Sequence, residues 1–163
     1  MTVLNSDIRP ARAEDDAALL AIDTVTWTPA VSPAPIPTDR TSFFRESHEP
    51  EGYLVAEVDG VVSGYVSLHQ TIPLPSHEHV LEINGLAVAS EAQGRGVGRE
   101  LVEAAVAAAA KQGATKVTLR VLGPNTGAQR LYERCGFVVE GVLRGEFILD
   151  GQLVDDVLMA RHL

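Results

Sequence analysis

The sequence predicts a mixed α/β domain built on one central, largely antiparallel sheet. Runs rich in valine flank Asp59-Gly60, and extended segments flank Asp150-Gly151, which is the pattern of two β-hairpins. A strand-like segment at 79–89, a long alanine-rich helix and the alternating segment 116–121 follow in that order. A strand, a helix and another strand imply a parallel crossover, so we expect one parallel pair of strands in the sheet.

Length and composition limit the class of protein. The chain has 163 residues, of which 45% are hydrophobic and 21% charged, so one domain over residues 1–163 can bury its own core. No apolar run reaches the ~20 residues of a membrane span, and the first ten residues lack the blocks of a signal peptide. We therefore expect a cytoplasmic protein without a membrane partner. The net charge of −9 argues against a nucleic-acid partner.

The N-terminal third predicts a short strand and two helices. A strand around Ile8 leads into a helix whose apolar residues Leu19, Leu20 and Ile22 share a face, with acidic residues 14–16 in its first turn. Four prolines make 27–39 a loop, either a stiff connector or a flap that faces the substrate. The segment RTSFFRESH at 40–48 is predicted to be a short second helix.

The segment QGRGVGRELVEAAVAAAAKQGA places glycines at 94, 96 and 98 directly before a helix. A helix N-terminus offers unpaired N–H groups and a partial positive charge, which bind phosphate where the backbone is bare. A P-loop is excluded because no Lys-Ser or Lys-Thr pair follows, and the dinucleotide fingerprint fails because its third glycine comes one position early. The pattern Q-x-x-G-x-G remains, formed by Gln93, Gly96 and Gly98.

At these residues the chain resembles the GNAT superfamily of acyl-CoA-dependent N-acetyltransferases, in which this pattern holds the pyrophosphate of coenzyme A. LEINGLAV before it and NTGAQRLYERCGF after it agree with the family in order and spacing, and the resemblance covers roughly residues 53–160. It implies a GNAT-like α/β fold with about six or seven strands, about four helices and a splayed parallel strand pair at the cofactor site.

The resemblance also implies a set of contacts to acetyl-CoA. The segment 86–88 would pair with the pantetheine arm after a bulge at Asn84-Gly85, and the two arginines would reinforce the phosphate cradle. Asn125 would either cap its helix or bind the cofactor's arm. The implied cofactor-binding residues are Leu86, Ala87, Val88, Gln93, Gly94, Arg95, Gly96, Val97, Gly98, Arg99, Asn125 and Tyr132.

Two residues are candidates for proton transfer. By resemblance the Tyr132 hydroxyl faces the sulfur of coenzyme A and protonates the departing thiolate; otherwise it is a core tyrosine on the helical stripe that it shares with Ala128, Leu131 and Cys135. Glu82 has the spacing of the general base in a related branch of the family; otherwise it is a half-exposed strand residue.

The histidines and the single cysteine predict neither a metal site nor a covalent intermediate. His69, His77 and His79 lie in an irregular segment without the spacing of a zinc site, so no metal is expected. Cys135, the single cysteine, falls on an apolar helical stripe and is predicted to be a buried structural thiol.

The predicted function is an N-acetyltransferase that uses acetyl-CoA as cosubstrate. The acceptor is a primary amine of a small molecule or a protein N-terminus, which attacks directly in a ternary complex. Two alternatives stay open, a non-catalytic acyl-CoA sensor and a transferase that uses another acyl-CoA. The identity of the amine and assembly into a homodimer are also open.

Overall fold

A seven-stranded sheet forms the centre of the protein, in a computed structural model that describes residues 6–35, 38–46 and 48–163. The strand order is β1-β2-β3-β4-β5-β7-β6, and every neighbouring pair is antiparallel except β4 and β5. The predicted mixed sheet with one parallel pair is confirmed. The strands are β1 (Ser6–Pro10), β2 (Tyr53–Val58), β3 (Val61–His69), β4 (Val80–Val88), β5 (Lys116–Leu122), β6 (Val138–Leu149) and β7 (Gln152–His162).

The described residues form three α-helices, where about four were expected. These are α1 (Asp16–Thr26), α2 (Val97–Lys111) and α3 (Thr126–Arg134). The helix α2 connects β4 to β5, as the predicted crossover requires. None of the helices in the described ranges is long and apolar enough to cross a membrane.

The predicted helix over 40–48 is wrong for the residues of this segment that the structure describes, which form a bend, a turn and an isolated bridge. Asp16 supplies the physical reason. Its Oδ2 accepts the N–H groups of Phe43 at 2.9 Å and Phe44 at 2.8 Å, together with the Ser42 hydroxyl at 2.8 Å. The two backbone donors are thus bound to a side chain from α1, and the buried Phe43 ring packs in an aromatic cluster. Tertiary contacts override the local helical pattern here.

The sheet separates two hydrophobic clusters. The larger cluster lies under α2 and α3 and contains Leu101 and Ala105 of α2 together with the β5 residues at 117, 119 and 121. The smaller cluster lies under α1, where Leu19 and Ile22 pack with Tyr65 and other aromatic residues. Leu20, predicted on the same helical face, is only partly buried at the edge of this cluster.

One extra residue interrupts the pairing of β4. Ser67 of β3 pairs with Gly85, whereas the next residue of β3 pairs with Ile83, so Asn84 is bulged out of the ladder. The parallel pairing of β4 with β5 runs from Val80 to Ile83 and ends there. Beyond that point no strand in the described part of the chain pairs with β4 on its β5 side. The predicted bulge and the predicted splay of the two strands are confirmed.

Candidate active site

A cleft of about 1240 Å³ opens where β4 and β5 separate. Its walls come from β4, β5 and β7, from the first turn of α2, from most of the length of α3, from the end of α1 and from the proline-rich loop. Trp27, Val31 and Pro33 of that loop line the cleft, as the flap interpretation of the sequence requires. The cleft therefore collects side chains from elements that are distant in sequence.

The two predicted catalytic residues lie on opposite faces of the sheet. Glu82 pairs with His69 of β3, which lies on the same face as Tyr65 and the cluster under α1. Tyr132 of α3 belongs to the cluster on the other face, where its ring packs edge-on against Phe137 at a centroid distance of 6.0 Å. Both residues line the cleft, because the gap between β4 and β5 connects the two faces.

The glycine turn before α2 needs glycine for its backbone conformation. The φ angles are +72° at Gly94 and +88° at Gly96, which is the N-cap of α2, and a β-carbon at either position would meet no protein atom within 4 Å. Such left-handed residues next to a helix start turn successive N–H groups towards one point and suit an anion. Both glycines line the cleft.

Gly98 keeps the cleft open by its lack of a side chain. A β-carbon there would lie 3.4 Å from Leu131 of α3 and 3.8 Å from Val88 of β4, in the space between these walls. The neighbouring Val97 side chain is fully buried in the larger cluster, so it is the backbone of this turn that borders the cleft. The arrangement fits a phosphate-bearing ligand that approaches the bare first turn of α2.

The side chains around the turn have separate roles. The Gln93 amide donates to the Val88 carbonyl at 2.9 Å and so braces the connection from β4 to α2. Arg99 is exposed and lines the cleft, whereas Arg95 is exposed and lies outside its lining. Asn125 caps α3, because its Oδ1 accepts the Ala128 N–H at 3.2 Å, and it also lines the cleft. The structure thus brings most of the predicted cofactor residues to one place, without Arg95.

The segment 86–88 borders the gap with its backbone. It pairs with β3 through residues 64–66, and the edge that faces β5 lacks a strand partner within the described residues. Leu86 and Val88 pack against the larger cluster, and Ala87 is buried in the smaller one. An extended ligand in the gap could therefore hydrogen-bond to this edge as a strand would.

Tyr132 is buried, with 8% of its surface exposed, and it lines the cleft. Burial raises the pKa of its phenol to about 12, with a smaller contribution from Cys135, so the hydroxyl keeps its proton at neutral pH. Cys135 is buried, as predicted for a structural thiol, and burial also raises the pKa of that thiol. The protonated Tyr132 hydroxyl is thus available to donate a hydrogen bond or a proton, and Cys135 is a poor nucleophile.

Glu82 is half-buried at the opposite wall. Burial raises the pKa of its carboxyl; the Arg120 charge opposes this shift, and the Asp156 charge adds to it. A carboxylate with a raised pKa is a stronger base than an exposed one. The position and the environment of Glu82 both suit a general base.

Sequence reasoning missed the charged residues around Glu82. Arg120 of β5 pairs with Asp156 of β7, and both line the cleft. Asp23 of α1 lines it too; this carboxylate accepts the Tyr65 hydroxyl at 2.5 Å and pairs with Arg40. One signal was available, since Asp23 follows the buried Leu19 at the i, i+4 spacing of a helix and so lies on the buried face of α1. In the described residues no group of three or more potential metal ligands converges.

Comparison with known proteins identifies the family. Residues 17–137 match the family model described as Acetyltransferase (GNAT) family, and the chain belongs to this family. The structure of yncA from Salmonella typhimurium with its cofactor acetyl-CoA has a TM-score of 0.78 and 24% sequence identity, over 98% of this chain and 94% of that chain. At this identity the likeness shows a common fold.

Two relatives carry names that specify an acceptor. Phosphinothricin N-acetyltransferase of Alcaligenes faecalis is 35% identical over 113 residues, which are 68% of this chain and 56% of that protein. The match thus spans little more than half of the relative's length. The L-amino acid N-acyltransferase MnaT of Escherichia coli strain K12 is 30% identical over 137 residues, which are 81% of this chain and 79% of that protein.

Proposed function

We propose that the protein is an N-acetyltransferase that transfers the acetyl group of acetyl-CoA to a primary amine of a small molecule. The observation that carries this proposal is the gap between β4 and β5, through which Tyr132 and Glu82 enter one cleft from opposite faces of the sheet. Family membership and the names of the two relatives support the reaction class and the kind of acceptor.

Acetyl-CoA would lie with its phosphates at the glycine turn and its pantetheine arm along β4. The N–H groups of the first turn of α2 would bind the pyrophosphate, and Arg99 would add a guanidinium. The free edge of 86–88 would bind the arm. When bound, acetyl-CoA supplies a thioester whose carbonyl carbon accepts a nucleophile, and the chain's own residues orient it and move protons.

The reaction would be a direct attack of the amine on the thioester. The amine reaches the cleft from the α1 face and loses a proton to Glu82, directly or through a water molecule. The C–N bond forms as the C–S bond breaks, and the departing thiolate takes the proton of the Tyr132 hydroxyl. As the C–N bond forms, the nitrogen would lose its second proton to solvent. Because burial holds the pKa of Tyr132 at about 12, well above that of an ordinary thiol, the tyrosinate left behind is a strong base, and the proton that Glu82 accepted would return to it after each turnover.

The glycine turn gives a test with a matched control, because glycines flank α2 at both of its ends. Gly96 and Gly113 have φ angles of +88° and +87°, and an added β-carbon would meet no protein atom within 4 Å at either. Gly96→Ala and Gly113→Ala should each cost roughly 1 kcal/mol of stability through backbone strain. Calorimetry should show about tenfold weaker coenzyme A binding or more for Gly96→Ala, whose methyl group crowds the phosphates. Equal coenzyme A affinity in both variants would show that the phosphates do not bind at this turn.

The Tyr132→Phe variant distinguishes an acetyltransferase from a non-catalytic acyl-CoA sensor. The change keeps the ring that packs on Phe137 and removes the proton donor, so kcat should fall by about 10² to 10⁴ while coenzyme A affinity changes little. Tyr53→Phe is the control, because Tyr53 is also buried, its pKa is also raised to about 12 by burial, and it does not line the cleft. Normal turnover by a folded Tyr132→Phe variant would contradict the proposed donor.

Glu82→Gln tests the base through the pH profile. The wild-type rate should rise with pH through the raised pKa of Glu82, since the base works when ionised. The variant should lose about 10² to 10⁴ in kcat/KM near neutral pH and recover as the pH approaches the pKa of the amine, where free amine needs no base. Glu78→Gln, at an exposed position before β4, is the control. A loss that is the same at every pH would indicate that Glu82 positions the substrate instead.

A further inference from the structure

The ion pair between Arg120 and Asp156 holds a guanidinium at the wall of the cleft. Arg120 Nε donates to Asp156 Oδ2 at 2.6 Å, and Nη2 contacts the same oxygen. The Asp156 side chain is 4% exposed and that of Arg120 is 48% exposed, so the carboxylate is the buried anchor and the guanidinium is the accessible part. An ion pair contributes little to stability when about half of its arginine side chain is exposed, so stability alone does not explain why this arginine borders the cleft.

Arg120 has hydrogen-bonding capacity to spare. A guanidinium carries five N–H donors, and the contacts to Asp156 use one side of the fork. No other hydrogen bond or ion pair of Arg120 occurs among the residues that the structure describes. The remaining donors can bind a carboxylate in the bidentate manner that arginine favours, while Asp156 fixes the plane of the group.

The position of Arg120 relative to Glu82 defines what could bind between them. Glu82 pairs with Thr118 of β5, and Arg120 follows two residues later on the same face of the sheet. The Arg120 charge lies close enough to act on the Glu82 carboxyl. A small molecule that carries both a cationic amine and an anionic group could therefore place its amine beside the Glu82 carboxylate and its anionic group beside the Arg120 guanidinium.

The other charges at this wall are already paired within the protein. Asp23 forms an ion pair with Arg40 and accepts the Tyr65 hydroxyl, and Asp156 forms an ion pair with Arg120. Glu82 is half-buried without a hydrogen bond from the described residues, and it is the group left to receive a protonated amine. An amine without a neighbouring anion would leave the free side of Arg120 without a charged partner.

We infer that Arg120 is a specificity-determining residue that selects acceptors with a carboxylate next to the amine, which is the structure of a free α-amino acid. The inference rests on the proposed acetyl transfer and goes beyond it by naming the chemical class of the acceptor. The Arg120 guanidinium binds the substrate carboxylate, and the substrate amine then lies beside Glu82. A peptide N-terminus lacks this carboxylate and fits the wall less well.

The test compares free L-amino acids with their carboxamides, each assayed with acetyl-CoA by release of the free thiol. The wild-type protein should prefer the acid over its amide by about 10- to 100-fold in kcat/KM, the value of one charged hydrogen-bonded contact. In Arg120→Gln this preference should fall to near unity, and Arg120→Lys should keep part of it. Arg144→Gln, at an exposed arginine of β6 outside the cleft, should keep the full preference.

A double variant controls for the possibility that Arg120→Gln destabilises the protein. Arg120→Gln leaves the buried Asp156 carboxylate without its partner, which can destabilise the protein, so the double variant Arg120→Gln, Asp156→Asn is assayed with it and checked by thermal unfolding. Loss of the preference in the folded double variant supports the inference. Equal turnover of acids and amides by the wild type would overturn the inference and leave the proposed acetyl transfer standing. Failure to acetylate any amine would overturn both.

Discussion

The separation of β4 from β5 after Ile83 determines how the parts of the cleft are arranged. A regular parallel pair would close the sheet and separate its two faces. The bulge at Asn84 shifts β4 by one residue, and pairing with β5 stops at that point. The backbone edge of 86–88 stays free, and α2 begins just beyond it with a bare glycine turn. One local irregularity thus leaves a free backbone edge on β4, next to the bare start of α2, and an opening through the sheet.

The opening between β4 and β5 gives the cleft access to both faces of the sheet, and the two faces offer different functional groups. The side of α2 and α3 offers main-chain donors and the buried Tyr132, which suit a long phosphate-bearing cosubstrate. The side of α1 offers Glu82 among ion pairs whose carboxylates are buried. Buried carboxylates are tolerated because each has an arginine partner, and those partners hold the charged wall in a fixed arrangement. The reacting groups can therefore be brought together with little rearrangement of the protein.

Much of the fold could be predicted because its signals are local. Two Asp-Gly turns mark the hairpins, alternation marks β5, and the spacing of the glycines marks the start of α2. The described part of the segment 40–48 could not be predicted in the same way, since the backbone N–H groups of Phe43 and Phe44 bind Asp16, which is far away in sequence. The pairing of Arg120 with Asp156 was missed for a related reason: the register of β5 against β7 brings them together, and the sequence alone does not contain that register.

Amide hydrogen exchange with and without coenzyme A is the decisive measurement, because it reports on the backbone of the gap itself. If the cosubstrate lies in the gap, exchange slows on binding at residues 86–88 and in the first turn of α2, with no change in the distant pair β1 and β2. Protection spread evenly over the sheet, or absent from 86–88 while coenzyme A is bound, would contradict this placement. In that case the cosubstrate would lie elsewhere and the opening between β4 and β5 would have another purpose.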